Sequence, residues 1–266
     1  MSNNSSDFFY AAIKNNYPSA CNIRHPVSCP PDKPIFIADT RKRGPIVCKF
    51  IDSHLAMRDK QISAQLTSAG FPVPKLSTHA YIAQWYEVYN YNPNQTLKQH
   101  IQNHLSDDKI FETYKQVLDF QAKLAESSLD YIYSPVGKYF YDVYKISPTT
   151  ARPKVLFTNI IRVASQYHNV RLVHCDLHPD NIICKEDGSL DQIIDITGIA
   201  LASEEFAMIS LLDNFPFPDM TEELMDYYDQ ITHRKLDRKF IRTGLKFRSI
   251  QKHARKIKTA LQTKTK

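Results

Sequence analysis

Residues 172–183 read LVHCDLHPDNII. Apolar, strand-like residues open and close the stretch, and between them stand His174, Cys175, Asp176, His178, Asp180 and Asn181. Burying that many polar groups without partners costs several kcal/mol, so the cluster needs a chemical reason. Metal binding is one reading, because His174 and His178 are four apart with Cys175 beside the first. That spacing aligns two ligands only on a helix. Pro179 argues against a helix there, since the residue before a proline is pushed out of the α region. A plain polar turn, whose Asp and Asn side chains bond their own backbone, is a second reading.

A third reading is a loop for phosphoryl transfer. That chemistry asks for an aspartate to take the proton of an attacking hydroxyl, an asparagine a fixed distance on to hold a metal ion, and a second metal-binding aspartate on the next hairpin. The spacing H-x-D-L-x-x-x-N meets the first two requirements, and His174, Asp176, Leu177 and Asn181 fall on it in register. Fourteen residues beyond Asn181, IIDITG places Asp195 at the end of an apolar run, with Gly198 shortly after. All three requirements are met together, which neither alternative explains.

Working outward, PIFIADTRKRGPIVCKFI at 34–51 predicts two strands rich in β-branched residues around a turn at Arg41–Gly44. In SHLAMRDKQISAQLTSAG, Ser53 can cap a helix, Leu55, Ile62 and Leu66 share a face, and Gly70 can end it. Strand-like sequence follows from about His79 to Tyr91. The first 90 residues thus predict a small sheet with one helix. After NYNPNQT the pattern becomes helical, over 107–128 and 154–167, around a tyrosine-rich stretch that fits neither period. Strands are expected near 182–185 and 191–196, and then more helix to the end.

The totals set bounds. With 266 residues, 42% hydrophobic and 23% charged, the chain has the composition of an ordinary globular protein of one large domain or two lobes. Its five cysteines contain no C-x-x-C pair and read as reduced thiols of a cytoplasmic protein. The opening MSNNSSDFFYAAIKNNY does not have the pattern of a secretory signal. No apolar run reaches the roughly 18 residues needed to span a bilayer. The net charge of +6 is uneven: from Thr232 onward 13 Lys or Arg face a single acid, Asp237, leaving the first 231 residues at −6.

LVHCDLHPDNII and IIDITG resemble the catalytic loop and metal-binding segment of the aminoglycoside phosphotransferase and choline kinase-like superfamily. That family's loop commonly carries histidine and proline at the places of His178 and Pro179. The resemblance implies an α+β, two-lobed protein-kinase-like fold. A small β-rich, nucleotide-binding lobe would occupy residues 1–91, and a larger helical lobe for catalysis and acceptor binding would occupy 92–266. It implies ATP and Mg²⁺ as cofactors and, as acceptor, a hydroxyl of a small molecule or glycan, with a cell-envelope sugar or lipopolysaccharide core among the candidates. Asp176 would orient and deprotonate that hydroxyl, His174 would brace the loop from behind, and Asn181 and Asp195 would hold Mg²⁺. Lys49 would bind the nucleotide phosphates, and the hinge around Tyr89 and Tyr91 would offer backbone groups to the adenine.

The chain also departs from the family. Counting back from AGFPVP at Ala69–Pro74, Gln61 stands where a glutamate usually pairs with the strand lysine, so the charge-assisted part of that bond is lost. TRKRGP has one glycine and three cations in place of a glycine-rich phosphate loop, and Ala207 stands where the family has an aspartate. These gaps keep a non-catalytic, kinase-like binding module open as the rival reading.

In the tail, Leu236, Phe240, Thr243, Phe247, Ile250, Ala254, Ile257 and Leu261 alternate by fours and threes. That predicts one mostly apolar helical stripe with basic faces around it, Gly244 being its weak point. Such a helix can dock on the large lobe, or lie on an anionic membrane surface, placing the protein at the inner face of a membrane. No aromatic-interleaved motif points to nucleic acid. The charge favours an anionic acceptor over a polycationic one, and tyrosines 131, 133, 139, 141 and 144 could stack on a sugar ring or surround a choline head group.

Overall fold

A computed structural model of the chain gives the conformation of residues 4–26, 34–127, 171–246 and 248–249. The helix expected over 154–167, the tyrosine-rich segment and most of the tail stripe lie outside these described residues. The chain divides into two units: Met1–Asn94 with Asp191–Thr197, and Gln95–Leu190 with Gly198–Lys266.

The first unit is built on a five-stranded antiparallel sheet of order β1-β2-β3-β5-β4. Its strands are β1 (Cys21–Arg24), β2 (Ile35–Thr40), β3 (Gly44–Ile51), β4 (Ser77–Tyr81) and β5 (Gln84–Asn90). The expected β2–β3 hairpin is present. The Thr40 hydroxyl donates to the Gly44 carbonyl at 2.8 Å and accepts the Arg43 amide at 3.2 Å, closing a tight turn with Gly44 at φ +68°. Its register sets Lys49 opposite Ile35 on one side and opposite Glu87 of β5 on the other. The strand-like sequence expected from about His79 to Tyr91 forms two strands, β4 and β5, joined at Ile82 and Ala83. Ile82 takes φ +55° there, in a turn without glycine, asparagine or proline to announce it.

Two helices, not one, belong to this unit. The first, α1 (Asn4–Asn16), brings Phe9 onto Phe36 and Phe50, with Phe50 stacked on Tyr86. Buried Tyr86 donates its hydroxyl to the Ala12 carbonyl at 3.0 Å and accepts from Asn16 at 2.7 Å. Full burial of each such aromatic is worth about 1.5–3 kcal/mol, ample to hold a helix whose ends are asparagine-rich. The second, α2 (Ser53–Ser68), has Asp52 at its N-terminal boundary, so Ser53 is its first helical residue and not its cap. Leu55, Asp59, Ile62 and Leu66 line its buried face. The chain leaves it through Gly70 at φ +74°.

The second unit opens with β6 (Gln95–Thr96) and α3 (Leu97–Gln102), started by a reciprocal cap between Thr96 and Gln99. Helix α4 (Asp107–Glu126) carries two aspartates in its first turn, where the helix dipole favours them, and buries Val117, Leu118, Gln121 and Leu124. β7 (Arg171–His174) precedes β8 (Ile182–Cys184), which pairs with β6, and β9 (Leu190–Ile193) returns the chain to the first unit. β10 (Ile199–Ala202) pairs antiparallel with β7, setting Ile199 opposite His174. α5 (Glu204–Leu212) is buried on all sides, Ala207 included, and α6 (Thr221–Thr232) follows.

The described start of the basic tail finds its counter-ions within the unit. Arg234 forks onto Glu204 at 2.9 and 2.7 Å, and the same carboxylate accepts the Tyr228 hydroxyl at 2.6 Å. Arg238 donates to Asp226 and Asp229 at 2.8 Å each, and Arg242 to Glu222 at 2.6 Å. Residues 238–246 are helical, and Gly244 gives Ile209 of α5 room to pack where a side chain would collide. The weak point of the stripe is thus a point of close packing. The described cysteines form no disulfide. Among the described residues no helix is long and apolar enough to cross a membrane.

Candidate active site

Lys49 and Asp195, 146 residues apart, meet in the first unit with Nζ and Oδ1 at 2.6 Å. The hairpin reach that carries the chain back over Asp191–Thr197 makes this contact. It is anchored by the Ile193 amide on the Pro72 carbonyl at 2.7 Å, and by Asp191, which accepts from Asn92 at 2.7 Å and Asn94 at 3.0 Å. Asp195 itself sits at φ +58°, a left-handed conformation that aspartate tolerates better than most residues and that often marks functional sites. Lys49 also donates to the Thr197 hydroxyl at 3.0 Å. Burial alone would lower the ammonium's pKa, but Asp195, Glu87 and Asp59 outweigh it and hold the group above its ordinary value. Lys49 is therefore charged at any physiological pH.

The expected partner from α2, Gln61, is exposed and does not meet the lysine. The acid that α2 turns inward is Asp59, fully buried, whose Oδ2 accepts the Thr197 hydroxyl at 2.6 Å. Two residues along an α-helix rotate a side chain by roughly 200°, so counting back to 61 instead of 59 lands on the opposite face. Oδ1 of Asp59 accepts from Arg58 Nε and Nη2 at 3.0 and 2.8 Å, while Arg58 also donates to the Thr197 carbonyl at 2.8 Å. Glu87, 2% exposed, is held well above the usual carboxylate range, first by burial and then, against the pull of Lys49, by the neighbouring Asp59, to which it hydrogen-bonds.

Sequence reading missed Asp59, Glu87 and Thr197. The first was within reach, because 55, 59, 62 and 66 are spaced by four, three and four, so Asp59 falls inside the apolar stripe. Glu87 is an acid among aromatics in a central strand, a weaker signal. The Tyr89–Tyr91 hinge is also altered. Tyr89 is half-buried within β5 opposite Val47, while Tyr91 is exposed and its amide already donates to the Pro45 carbonyl at 3.0 Å, so that group is not open to an adenine. In the short β2–β3 turn, Arg43 reaches Tyr17 and Asn90 at 3.2 and 3.3 Å.

In the second unit, β7 delivers His174 to a loop shaped chiefly by its backbone. The buried His174 amide donates to Gln121 Oε1 of α4 at 3.0 Å, and the Cys175 amide to the Gly198 carbonyl at 2.8 Å. The His174 ring accepts the Asp176 amide at Nδ1, 3.2 Å. The Asp176 carbonyl accepts both the His178 amide at 3.1 Å and Asn181 Nδ2 at 3.0 Å, and a 3₁₀ turn over Pro179–Asn181 completes the loop. The side-chain acceptor of Asn181 is Oδ1. The Asp176 side chain is 27% exposed, with His178 Nε2 at 3.9 Å; His178 Nδ1 is 3.7 Å from Asp180, which Lys98 meets at 3.1 Å. His178 has extended backbone and His174 ends a strand, so the two histidines share no helix face and the zinc reading has no basis. Gly198 lies so close that a Cβ there would stand 2.6 Å from His174 Cε1 and 3.1 Å from Asp176 Cβ.

No protein-family model and no curated protein matches the sequence. Solved structures do match. Aminoglycoside-3'-phosphotransferase of type VIII is 11% identical over 91% of this chain and 96% of its own, with a TM-score of 0.68. Aminoglycoside phosphotransferase APH(3'')-Id from Streptomyces rimosus, solved with ADP and streptomycin, is 14% identical over 90% and 96%, with a TM-score of 0.65. Choline kinase LicA from Streptococcus pneumoniae is 12% identical over 93% and 91%, with a TM-score of 0.62. The chain has the small-molecule kinase fold. The α+β architecture that LVHCDLHPDNII and IIDITG implied is therefore present, a β-sheet unit at the N-terminal end and a mainly helical one after it.

Proposed function

We propose that this chain is an ATP- and Mg²⁺-dependent phosphotransferase acting on a hydroxyl of a small molecule or glycan. The observation that carries the reading is the 2.6 Å contact between Lys49 and Asp195, which unites a strand lysine with the aspartate that follows the catalytic-loop motif. In this reading Asp176 is the base: its part-exposed carboxylate orients the acceptor hydroxyl and takes its proton. His174 fixes the Asp176 amide, and Asn181 fixes its carbonyl. Lys49 binds the nucleotide phosphates. Asn181 Oδ1 and the Asp195 carboxylate are hard oxygen donors of the kind Mg²⁺ takes, and the ion when bound neutralises charge on the transferring phosphoryl group.

The finer choice of acceptor rests on charge. With Arg234, Arg238 and Arg242 engaged by acids, the argument for an anionic acceptor passes to the rest of the basic tail, and we put sugar acids and phosphosugars of cell-envelope glycans first. Purified protein is assayed for ATP turnover with Mg²⁺ against anionic sugars, neutral sugars and alcohols, choline, lipid-linked glycans and polycationic aminoglycosides. Acceptor-dependent ADP release that Asp176→Asn abolishes supports the reading. The tight β2–β3 turn favours one rival, a non-catalytic nucleotide-binding module. Nucleotide binding without turnover on any acceptor would decide for it.

A further inference from the structure

The fully buried Asp59 accepts through both of its carboxyl oxygens, and the Lys49 ammonium offers only donors. The Thr197 hydroxyl stands between them, 3.0 Å from Lys49 Nζ and 2.6 Å from Asp59 Oδ2. Its direction is thereby fixed: the oxygen accepts from the lysine and the proton goes to the aspartate. Asp59 is held rigidly in turn, by Arg58 on Oδ1 and by the carboxyl of Glu87, which lies directly across from Lys49 in the β3–β5 register.

We propose that Thr197 is a positioning residue for Lys49, extending the reach of Asp59 so that a hydroxyl-bridged contact does the work of a direct lysine–glutamate pair. The inference rests on the phosphotransferase reading and deepens it. In the structure Lys49 divides its hydrogen bonds between Asp195 and Thr197. A divalent cation held by Asp195 would compete with the ammonium for that carboxylate. The bond to Thr197 would then keep the lysine in place, leaving its other donors for phosphate oxygens. The bridge also accounts for an acid one methylene shorter than glutamate on α2: the threonine hydroxyl supplies the missing length. Gln61, exposed on α2, takes no part in it.

The test is calorimetric titration of the full chain with Mg·ATP, with melting of each unliganded variant as a control. Thr197→Val keeps the side-chain shape and removes the hydroxyl. It should weaken binding about 10-fold or more, the usual worth of a hydrogen bond to a charged group. Thr197→Ser should stay within about threefold of wild type, since it restores the donor and acceptor. Lys49→Met should weaken binding at least as much as Thr197→Val. If Lys49→Met loses binding while Thr197→Val does not, the bridge is refuted and the phosphotransferase reading stands. Equal losses in the Val and Ser variants also refute it, because the methyl and not the hydroxyl would then matter. A wild-type chain that binds no Mg·ATP removes both.

Discussion

Lys49 and Asp176 are held in different ways. Around the lysine, positions are fixed by charge on charge: Asp195, Asp59, Arg58 and the Thr197 hydroxyl form a chain of bonds between 2.6 and 3.0 Å, with Glu87 buried behind. Around Asp176, they are fixed by amides, carbonyls and one histidine ring, and the carboxylate is left part-exposed. A network of buried charges fails when one member is removed, because the survivors are stranded without water. A loop held by its backbone keeps its shape when a side chain changes. The lysine cluster should therefore register mutations as stability, and the loop as chemistry.

The strongest way to break this contrast is Asp59→Ala. It strands Arg58 and the Thr197 hydroxyl and should cost about 3–5 kcal/mol in chemical denaturation. A loss under about 1 kcal/mol would mean that water replaces the carboxylate and the cluster is not a wired unit. Next is Asp176→Asn, expected to cut turnover by two or more decades, about 2.7 kcal/mol in the barrier, while melting and Mg·ATP affinity barely move. A melting drop as large as that of Asp59→Ala would put the two regions in one class. Gly198→Ala probes the loop's backbone directly. Its Cβ would press on His174 and Asp176, and overpacking of that kind costs about 1–3 kcal/mol. Unchanged melting would show that the loop yields more freely than its bonds suggest.

The smallest effect sharpens the comparison by pH. Glu87 is raised in the folded chain above the value near 4.3 of an unfolded glutamate, so between those two values the folded state holds a proton that the unfolded state has lost. Stability from this group is full below that unfolded value and falls as pH rises through the folded one. Glu87→Gln removes the ionisation, so its melting temperature relative to wild type should improve as pH rises above the ordinary glutamate range. Parallel profiles would show that Glu87 does not titrate in that range.

The same contrast decides what could be read from sequence. The loop lies within twelve consecutive residues, so His174, Asp176 and Asn181 could be matched by register alone to the spacing that phosphoryl transfer asks for. The lysine cluster draws on α2, β3, β5 and the return segment, and no local spacing ties those together. Lys49 and Asp195 were legible through the resemblance, whereas Gln61 was placed by counting from a motif at the far end of the helix and came out on the wrong face. The missed helix α1 has a similar cause: its core contacts are with strands that begin many residues later. The tail's net charge does not tell how much of it is free, because the acids of α6 that engage Arg238 and Arg242 precede the tail in the chain.

The left-handed backbone at Asp195 bears on how such a chain can drift. Glycine, asparagine and aspartate are the residues that accept this conformation at little cost, and the other two are each one nucleotide change from an aspartate codon. The mutations that the backbone resists least at this position are thus the ones that delete the carboxylate and leave the fold standing. On the phosphotransferase reading proposed above, a lineage released from selection would first lose the carboxylate assigned to the metal and keep its architecture, and the identity of residue 195 would be the quickest genetic reading of whether that step has been taken.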